Sequence, residues 1–266
     1  MSENTMNGTT VFALACHPDD IEFMMGGTLQ LLKAAGCSLH YMNLANGCCG
    51  STQYSRDQTA RIRRQEGRNA AAYLGAVYHE SLANDLEVFY TPELIGKVTA
   101  VVREIRPDIM LLPSPEDYME DHMITCRIGV TSAFSRGVPN FPTDPPREAT
   151  YQDVVLYHAL PYGLRDGLRR RILPDFYVDI SSVIDEKERM LACHESQKRW
   201  LDETQGLESY LQTMREMSAE VAAMAGRGRY AEGWRRHSHL GFSTTETDPL
   251  MEILAEFCYA REPCEP

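Results

Sequence analysis

Apolar runs alternate along this chain with segments in which apolar residues recur at helical spacing. The apolar runs predict buried β-strands at residues 11–16, 39–44, 108–112 and 153–160. The helical spacing predicts helices over residues 28–35, 57–74, 94–105, 183–200 and 208–224. Strand–helix–strand units in this order predict an α/β fold with a mostly parallel sheet and helices on both of its faces.

The length of 266 residues suits one domain. We expect an α/β core over about residues 10–200, followed by a helical or irregular C-terminal extension over about residues 200–266. Residues 135–149 contain four prolines and are expected to form a long surface connection. No internal repeat or low-complexity segment divides the chain further.

The net charge and the cysteine content limit the classes of protein to which this chain can belong. The net charge of −12 argues against nonspecific binding to nucleic acid or to an anionic membrane surface. No apolar run approaches the roughly 18 residues that a membrane span needs, and residues 1–10 lack the pattern of a secretion signal. The eight cysteines are scattered without a Cys-x-x-Cys pair, which predicts free thiols in a reducing cytoplasm.

The most informative polar residues follow the first predicted strand. Residues 15–22 read Ala-Cys-His-Pro-Asp-Asp-Ile-Glu, so a histidine and two carboxylates stand where a strand ends and a helix begins. Ligands bind open α/β sheets at this edge. If His17 and Asp20 hold a metal ion, Asp19 between them is free to act as a general base. The alternative is that Asp19 or Asp20 only caps the helix.

A second polar cluster follows the strand predicted at residues 108–112. Residues 113–122 read Pro-Ser-Pro-Glu-Asp-Tyr-Met-Glu-Asp-His. If this strand neighbours the first, His122 completes a set of three ligands with His17 and Asp20, and a fourth position stays open for catalysis. The alternative for His122 is an ordinary polar residue at a helix N-terminus. A nucleotide-binding loop is disfavoured, because no Gly-x-Gly-x-x-Gly follows the first strand.

With these motifs the chain resembles the PIG-L/LmbE-like family of zinc-dependent N-acetylglucosaminyl deacetylases. The resemblance rests on the His-Pro-Asp-Asp segment followed by Gly-Gly-Thr at residues 26–28, with four further pieces in support. These are Asn-Gly at 46–47, Arg-Arg-Gln-Glu at 63–66, Asp-His at 121–122 and Cys-His-Glu-Ser-Gln at 193–197. It spans about residues 10–200 and implies a Rossmann-like fold.

The family resemblance implies removal of an acetyl group from an N-acetylated amino sugar or related amide. It implies Zn²⁺ bound by His17, Asp20 and His122, with Asp19 as the base. Two histidines and a carboxylate also suit Fe²⁺, so the metal stays open. A small-molecule substrate is the implied partner, and a homo-oligomer is left open.

The sequence departs from the family pattern at one position. Families of this kind usually read His-Pro-Asp-His before the last ligand, whereas this chain reads Met-Glu-Asp-His at residues 119–122. Met119 cannot donate the hydrogen bond that a tetrahedral oxyanion needs, and Asp121 keeps the place of the residue that would orient the missing histidine. We expect Tyr118 to be a replacement donor. We expect Arg64 and His194 to contact substrate.

Two other functions remain open at this point. A zinc-dependent hydratase of an unsaturated acid is chemically consistent with the ligand set, because conjugate addition of water demands less of an oxyanion site than amide hydrolysis. A sugar- or metal-binding protein with a weakened catalytic site is also consistent with Met119.

Overall fold

An eight-stranded mixed sheet forms the centre of the protein in a computed structural model that describes residues 8–205 and 210–261. The strands lie in the order β3-β2-β1-β4-β5-β7-β6-β8. The first five neighbours run parallel, and β7 pairs antiparallel with both β5 and β6. The strand bounds are β1 Thr10–Ala15, β2 Ser38–Asn43, β3 Val77–His79, β4 Ile109–Leu112, β5 Val155–Ala159, β6 Phe176–Asp179, β7 Ala231–Arg236 and β8 Cys258–Ala260.

Eight α-helices accompany these strands in the described part of the chain. Their bounds are α1 Asp20–Ala34, α2 Arg56–Leu74, α3 Pro92–Ile105, α4 Glu120–Ser135, α5 Ile184–Leu191, α6 Glu195–Gln205, α7 Tyr210–Ala225 and α8 Pro249–Ile253. None of the helices in these ranges has the length and apolar character needed to cross a membrane.

Strand β1 shows why both faces of the sheet are covered. Its side chains alternate between two apolar cores. Val11 and Ala13 belong to the core with α1, α2, α5 and α7, whereas Phe12 and Leu14 belong to the core with α3 and α4. This arrangement confirms the predicted α/β class with helices on both faces.

Two predicted helices differ from the observed ones. Helix α1 begins at Asp20 rather than at residue 28, and Gly26 and Gly27 lie inside it. A Cβ on Gly27 would lie 2.6 Å from the Ile180 side chain, so glycine there permits close packing rather than ending the helix. The helix predicted over residues 183–200 is divided into α5 and α6, with a turn at residues 192–194.

The C-terminal part of the chain is not only helical. Beside α7 and α8 it supplies β7 and β8 to the same sheet, and β7 lies between β5 and β6. The helix predicted over 208–224 corresponds to α7, and residues 208 and 209 lie outside the described residues. The seven cysteines that the structure describes are free thiols, and Cys264 is outside those residues.

Strand β7 also holds the middle of α1. The Glu232 carboxylate accepts hydrogen bonds from the amides of Gly27 and Thr28, at 2.8 and 2.7 Å, and from Lys187 Nζ at 2.7 Å. Trp234 Nε1 donates to Thr28 Oγ1 at 3.0 Å. The helix that follows the His-Pro-Asp-Asp segment is therefore held by the C-terminal part of the sheet.

Candidate metal centre

The turn from β1 into α1 brings His17 and Asp20 to the carboxyl edge of the sheet. The Asp20 Oδ2 atom accepts a hydrogen bond from the His17 amide at 2.7 Å. Asn43, the last residue of β2, donates from Nδ2 to the His17 carbonyl oxygen at 2.6 Å. Asp19 has a φ of 113°, which is rare for a residue other than glycine. These bonds stabilise a tight turn that presents both carboxylates.

His122 reaches the same point from the neighbouring strand. It lies in the first turn of α4, the helix after β4, and β4 pairs with β1. His17 Nδ1 is 3.2 Å from His122 Nε2, and Asp20 Oδ2 is 3.6 Å from the former and 3.4 Å from the latter. The structure thus brings together the three residues that the sequence analysis named as metal ligands.

Two further carboxylates determine which imidazole nitrogens of His17 and His122 carry a proton. His17 Nε2 is 3.2 Å from Asp121 Oδ2, and His122 Nδ1 is 3.2 Å from Asp117 Oδ1. Because an ionised carboxylate only accepts hydrogen bonds, these two ring nitrogens carry the protons. The Leu86 amide, at 2.7 Å, fixes Asp121 in turn.

The nitrogens left without protons are the ones that face Asp20. Two imidazole lone pairs and a carboxylate oxygen converge, and carboxylates behind the rings orient them, as in mononuclear catalytic sites. The donor set therefore fits a divalent cation.

Asp19 lies beside this centre and has its own partners. Tyr210, the first residue of α7, donates from its hydroxyl to Asp19 Oδ2 at 2.6 Å, and Arg63 Nη2 is 3.3 Å from Oδ1. Burial raises the pKa of Asp19, and the Arg63 guanidinium offsets this only in part. Although Asp19 precedes α1, its side chain makes no capping hydrogen bond. The capping alternative is therefore not what the structure shows for Asp19.

A cavity of about 680 Å³ opens above these residues. Aromatic side chains form much of its wall, and polar groups are interspersed among them. Tyr118 and Met119, which precede α4, both line it. Tyr118 packs edge-on against the His122 ring, with centroids 5.7 Å apart. The other aromatic lining residues are Phe23, Tyr162, Trp200 and Tyr210.

Arg64 and His194 do not line the cavity. Arg64 is on the exposed side of α2, where Nε and Nη2 each donate to Glu80 at 2.6 Å. His194 is fully buried, and its Nε2 is 3.3 Å from Glu22 Oε2. Burial lowers the pKa of His194, but Glu22 outweighs it and the pKa lies above the ordinary value. The structure thus places neither residue in the cavity wall, where we expected them to contact substrate.

The arginine of α2 that does line the cavity is Arg63. It is 2% exposed, and its Nη2 donates to the Pro18 carbonyl oxygen as well as lying beside Asp19. Helical spacing was the available signal, because Thr59, Arg63 and Glu66 share the buried side of α2. Asp117 and Tyr210 were also missed, and for Tyr210 no motif in the sequence indicates its role.

Comparison with known proteins agrees with this geometry. Residues 12–133 match the family described as PIG-L, GlcNAc-PI de-N-acetylase. The diacetylchitobiose deacetylase of Thermococcus kodakarensis is 31% identical over 232 residues, which are 85% of this chain and 82% of that protein. The chain therefore belongs to the PIG-L/LmbE-like family of de-N-acetylases.

Solved structures of similar proteins share the fold. The N,N'-diacetylchitobiose deacetylase of Pyrococcus horikoshii has a TM-score of 0.73 and 25% identity, over 91% of this chain and 88% of its own. The 4-carboxy-2-hydroxymuconate hydratase of Pseudomonas putida has a TM-score of 0.71 and 19% identity, over 90% and 99% of the two chains. At 19% identity, the similarity to this hydratase shows a shared fold alone.

Proposed function

We propose that this protein is a metal-dependent deacetylase that hydrolyses the acetamido group of an N-acetylated amino sugar. The observation that carries the proposal is the convergence of His17 Nδ1, Asp20 Oδ2 and His122 Nε2 at the cavity, next to the buried Asp19. A divalent cation held there, Zn²⁺ in our proposal, supplies Lewis acidity toward water and toward the amide oxygen. Fe²⁺ is the alternative that the same donors accept.

Asp19 is the general base in this proposal. Its carboxylate faces the cavity beside the three ligands without belonging to them, so it is free to take the proton from the attacking water. The same carboxyl group then delivers the proton to the departing amine nitrogen. Arg63 and Tyr210 hold the two Asp19 oxygens and so position the group for both transfers.

Tyr118 is our proposed hydrogen-bond donor to the developing oxyanion. It lines the cavity beside His122, at the position before Met119, whose thioether has no hydrogen to donate. Burial, followed by the nearby Asp20 carboxylate, raises the pKa of Tyr118. The phenol therefore keeps its proton at neutral pH and can donate it in a hydrogen bond. Asp121 acts through His17 rather than on substrate.

The shape and lining of the cavity support a sugar as substrate. Aromatic rings such as Phe23, Tyr118 and Tyr162 offer flat apolar faces, and Arg165 and Gln197 offer hydrogen bonds around them. The volume of about 680 Å³ suits a small ligand of one or two sugar rings. The similarity to two diacetylchitobiose deacetylases supports the same substrate class.

Acetate release tests the proposal. Protein loaded with Zn²⁺ or Fe²⁺ is incubated with N-acetylglucosamine and with N,N'-diacetylchitobiose, and acetate and free amine are measured together. We expect equal amounts of both products from at least one sugar, and no product from metal-free protein. Absence of acetate with every sugar, from protein shown to contain metal, would contradict the assignment.

A hydratase is the second candidate, and Met119 is the observation that favours it. A site with one oxyanion donor fewer is better matched to conjugate addition of water than to amide hydrolysis. A 4-oxalmesaconate hydratase of Pseudomonas putida is 23% identical over 74% of this chain. Loss of ultraviolet absorbance from an unsaturated dicarboxylic acid, without acetate release from any sugar, would support this candidate instead.

A further inference from the structure

Two adjacent cysteines lie in or beside the cavity wall. Cys48 and Cys49 belong to the loop after β2, and Cys49 lines the cavity. Their Sγ atoms are 3.9 Å apart. Asp85 holds this loop, because its two carboxylate oxygens accept hydrogen bonds from the Gly47 and Cys49 amides at 2.7 and 2.8 Å. The proposed deacetylase chemistry uses none of these side chains.

The separation of the two sulfurs matches chelation of one cation. Two thiolates on a tetrahedral Zn²⁺, each at about 2.3 Å, lie about 3.8 Å apart. A disulfide would require an S–S distance of about 2.05 Å. The carboxylate of Asp85 is close enough to both sulfurs to supply a third ligand atom. The thiols as they stand are therefore spaced for a shared metal ion.

The surroundings of the pair allow access from solvent. Arg56 Nε donates to Cys48 Sγ at 3.1 Å, so a cationic group already contacts the buried sulfur of the pair. Cys48 is buried, whereas Cys49 is exposed, so a cation from solvent can reach the pair through Cys49. The Arg56 side chain also contacts Glu87 at 2.5 Å, which holds it in place.

We propose that Cys48, Cys49 and Asp85 form a second metal site, selective for thiophilic divalent cations such as Cd²⁺ and Zn²⁺. The site is separate from the centre formed by His17, Asp20 and His122, which has no sulfur ligand. The protein then binds two divalent cations of different ligand chemistry in the wall and at the base of one cavity.

Cadmium titration of the metal-free protein tests this inference. We expect two Cd²⁺ per chain after gel filtration, and an ultraviolet thiolate-to-cadmium charge-transfer band that accompanies one of them. Cys48→Ser and Cys49→Ser should each lose the band and bind one Cd²⁺. Cys193→Ser is the matched control, because Cys193 is a partly exposed thiol outside both sites, and it should keep the band and both ions.

A variant of the centre formed by His17, Asp20 and His122 distinguishes the two sites. His122→Ala should lose one Cd²⁺ and keep the charge-transfer band, whatever its effect on acetate release. A band that persists in both Cys48→Ser and Cys49→Ser, or wild-type protein that binds Cd²⁺ without any band, would overturn the proposal. Failure of the deacetylase assay alone would leave the cadmium results unchanged.

Thiol labelling provides a measurement that needs no variant. Wild-type protein is alkylated with and without Cd²⁺, and the modified cysteines are identified by peptide mass spectrometry. We expect Cd²⁺ to protect Cys49, the exposed member of the pair, at least ten-fold more than Cys193. Equal protection of the two residues would contradict a site at the pair.

Discussion

Tyr210 donates a 2.6 Å hydrogen bond to Oδ2 of Asp19, although 191 positions separate the two residues in sequence. The bond joins the first residue of α7 to the turn between β1 and α1. With Arg63 Nη2 3.3 Å from Oδ1, each oxygen of the Asp19 carboxylate has its own partner. If Asp19 is the general base, as we propose, these two contacts orient it for proton transfer before substrate binds.

Asp19→Asn should separate catalysis from metal binding. The amide cannot take a proton, so kcat for acetate release is expected to fall by about 10²–10⁴-fold. The metal content, measured by elemental analysis, should stay at the wild-type value, because Asp19 is not among the three converging ligands. Retention of wild-type kcat would show that another group acts as the base.

The neighbouring arginines of α2 provide a matched pair. Arg63→Lys keeps the positive charge but loses the planar guanidinium that contacts Pro18 and Asp19. A hydrogen bond to a charged group is worth about 1.5–3 kcal/mol, so kcat should fall by roughly 10- to 100-fold. Arg64→Lys changes only an exposed pair with Glu80 and should retain wild-type kinetics. A larger fall in kcat for Arg64→Lys than for Arg63→Lys would show that Arg64 belongs to the site.

Residues 118 and 119 test the source of oxyanion stabilisation. Tyr118→Phe removes the proposed donor and should lower kcat by about 10²-fold with a smaller change in KM. Met119→His introduces a donor at a position that lines the cavity, so we expect faster acetate release and partial rescue in the double variant. If Tyr118→Phe left kcat unchanged, the phenol would have no part in the chemistry.

Removal of the metal should lower both activity and thermal stability. Chelation is expected to abolish acetate release, and Zn²⁺ should restore it. A cation at a hundred times its dissociation constant stabilises the folded state by about 2.7 kcal/mol. Scanning calorimetry should therefore show a Tm several degrees higher for the loaded protein, and this shift should shrink in Asp20→Ala. An equal shift in that variant would place the stabilising cation elsewhere.

Lys187 and Glu232 test the link between β7 and α1. Their side chains are almost fully buried and 2.7 Å apart. Lys187→Met leaves an unpaired buried carboxylate, so the free energy of unfolding should drop by about 3–5 kcal/mol in urea titrations. Lys97→Met is the control, because Lys97 pairs with the exposed Glu93 and its loss should cost at most about 1 kcal/mol.

The sequence was most informative where elements are buried on both faces. The strands β1, β2, β4 and β5 lie in the interior of the sheet and read as apolar runs, so their positions were predicted to within about two residues. Strand β7 was missed because it reads Ala-Glu-Gly-Trp-Arg-Arg. Its glutamate is buried only because Lys187 and two amides of α1 satisfy it, and this tertiary contact has no local signal.

The placement of the candidate site residues was predictable in part, and for a similar reason. The proposed ligands His17, Asp20 and His122 were predicted to converge because they sit at the ends of recognisable strands. Their supports were not, because Asp117 and Tyr210 gain their roles only through folding. We expected Arg64 to contact substrate, but Arg63 is the arginine of this motif that lines the cavity. The motif itself does not indicate which of the two arginines faces inward.

The position of β7 in the sheet has a consequence for how the protein is made. Strand β6 pairs only with β7 and β8 among the described strands, and both are translated after it. Before Ala231 is synthesised, the nascent chain can form the parallel half of the sheet. The segment Phe176–Asp179 then has no partner strand on either side. At that stage Glu232 has not been synthesised, so the amides of Gly27 and Thr28 in α1 lack the carboxylate that binds them in the folded protein.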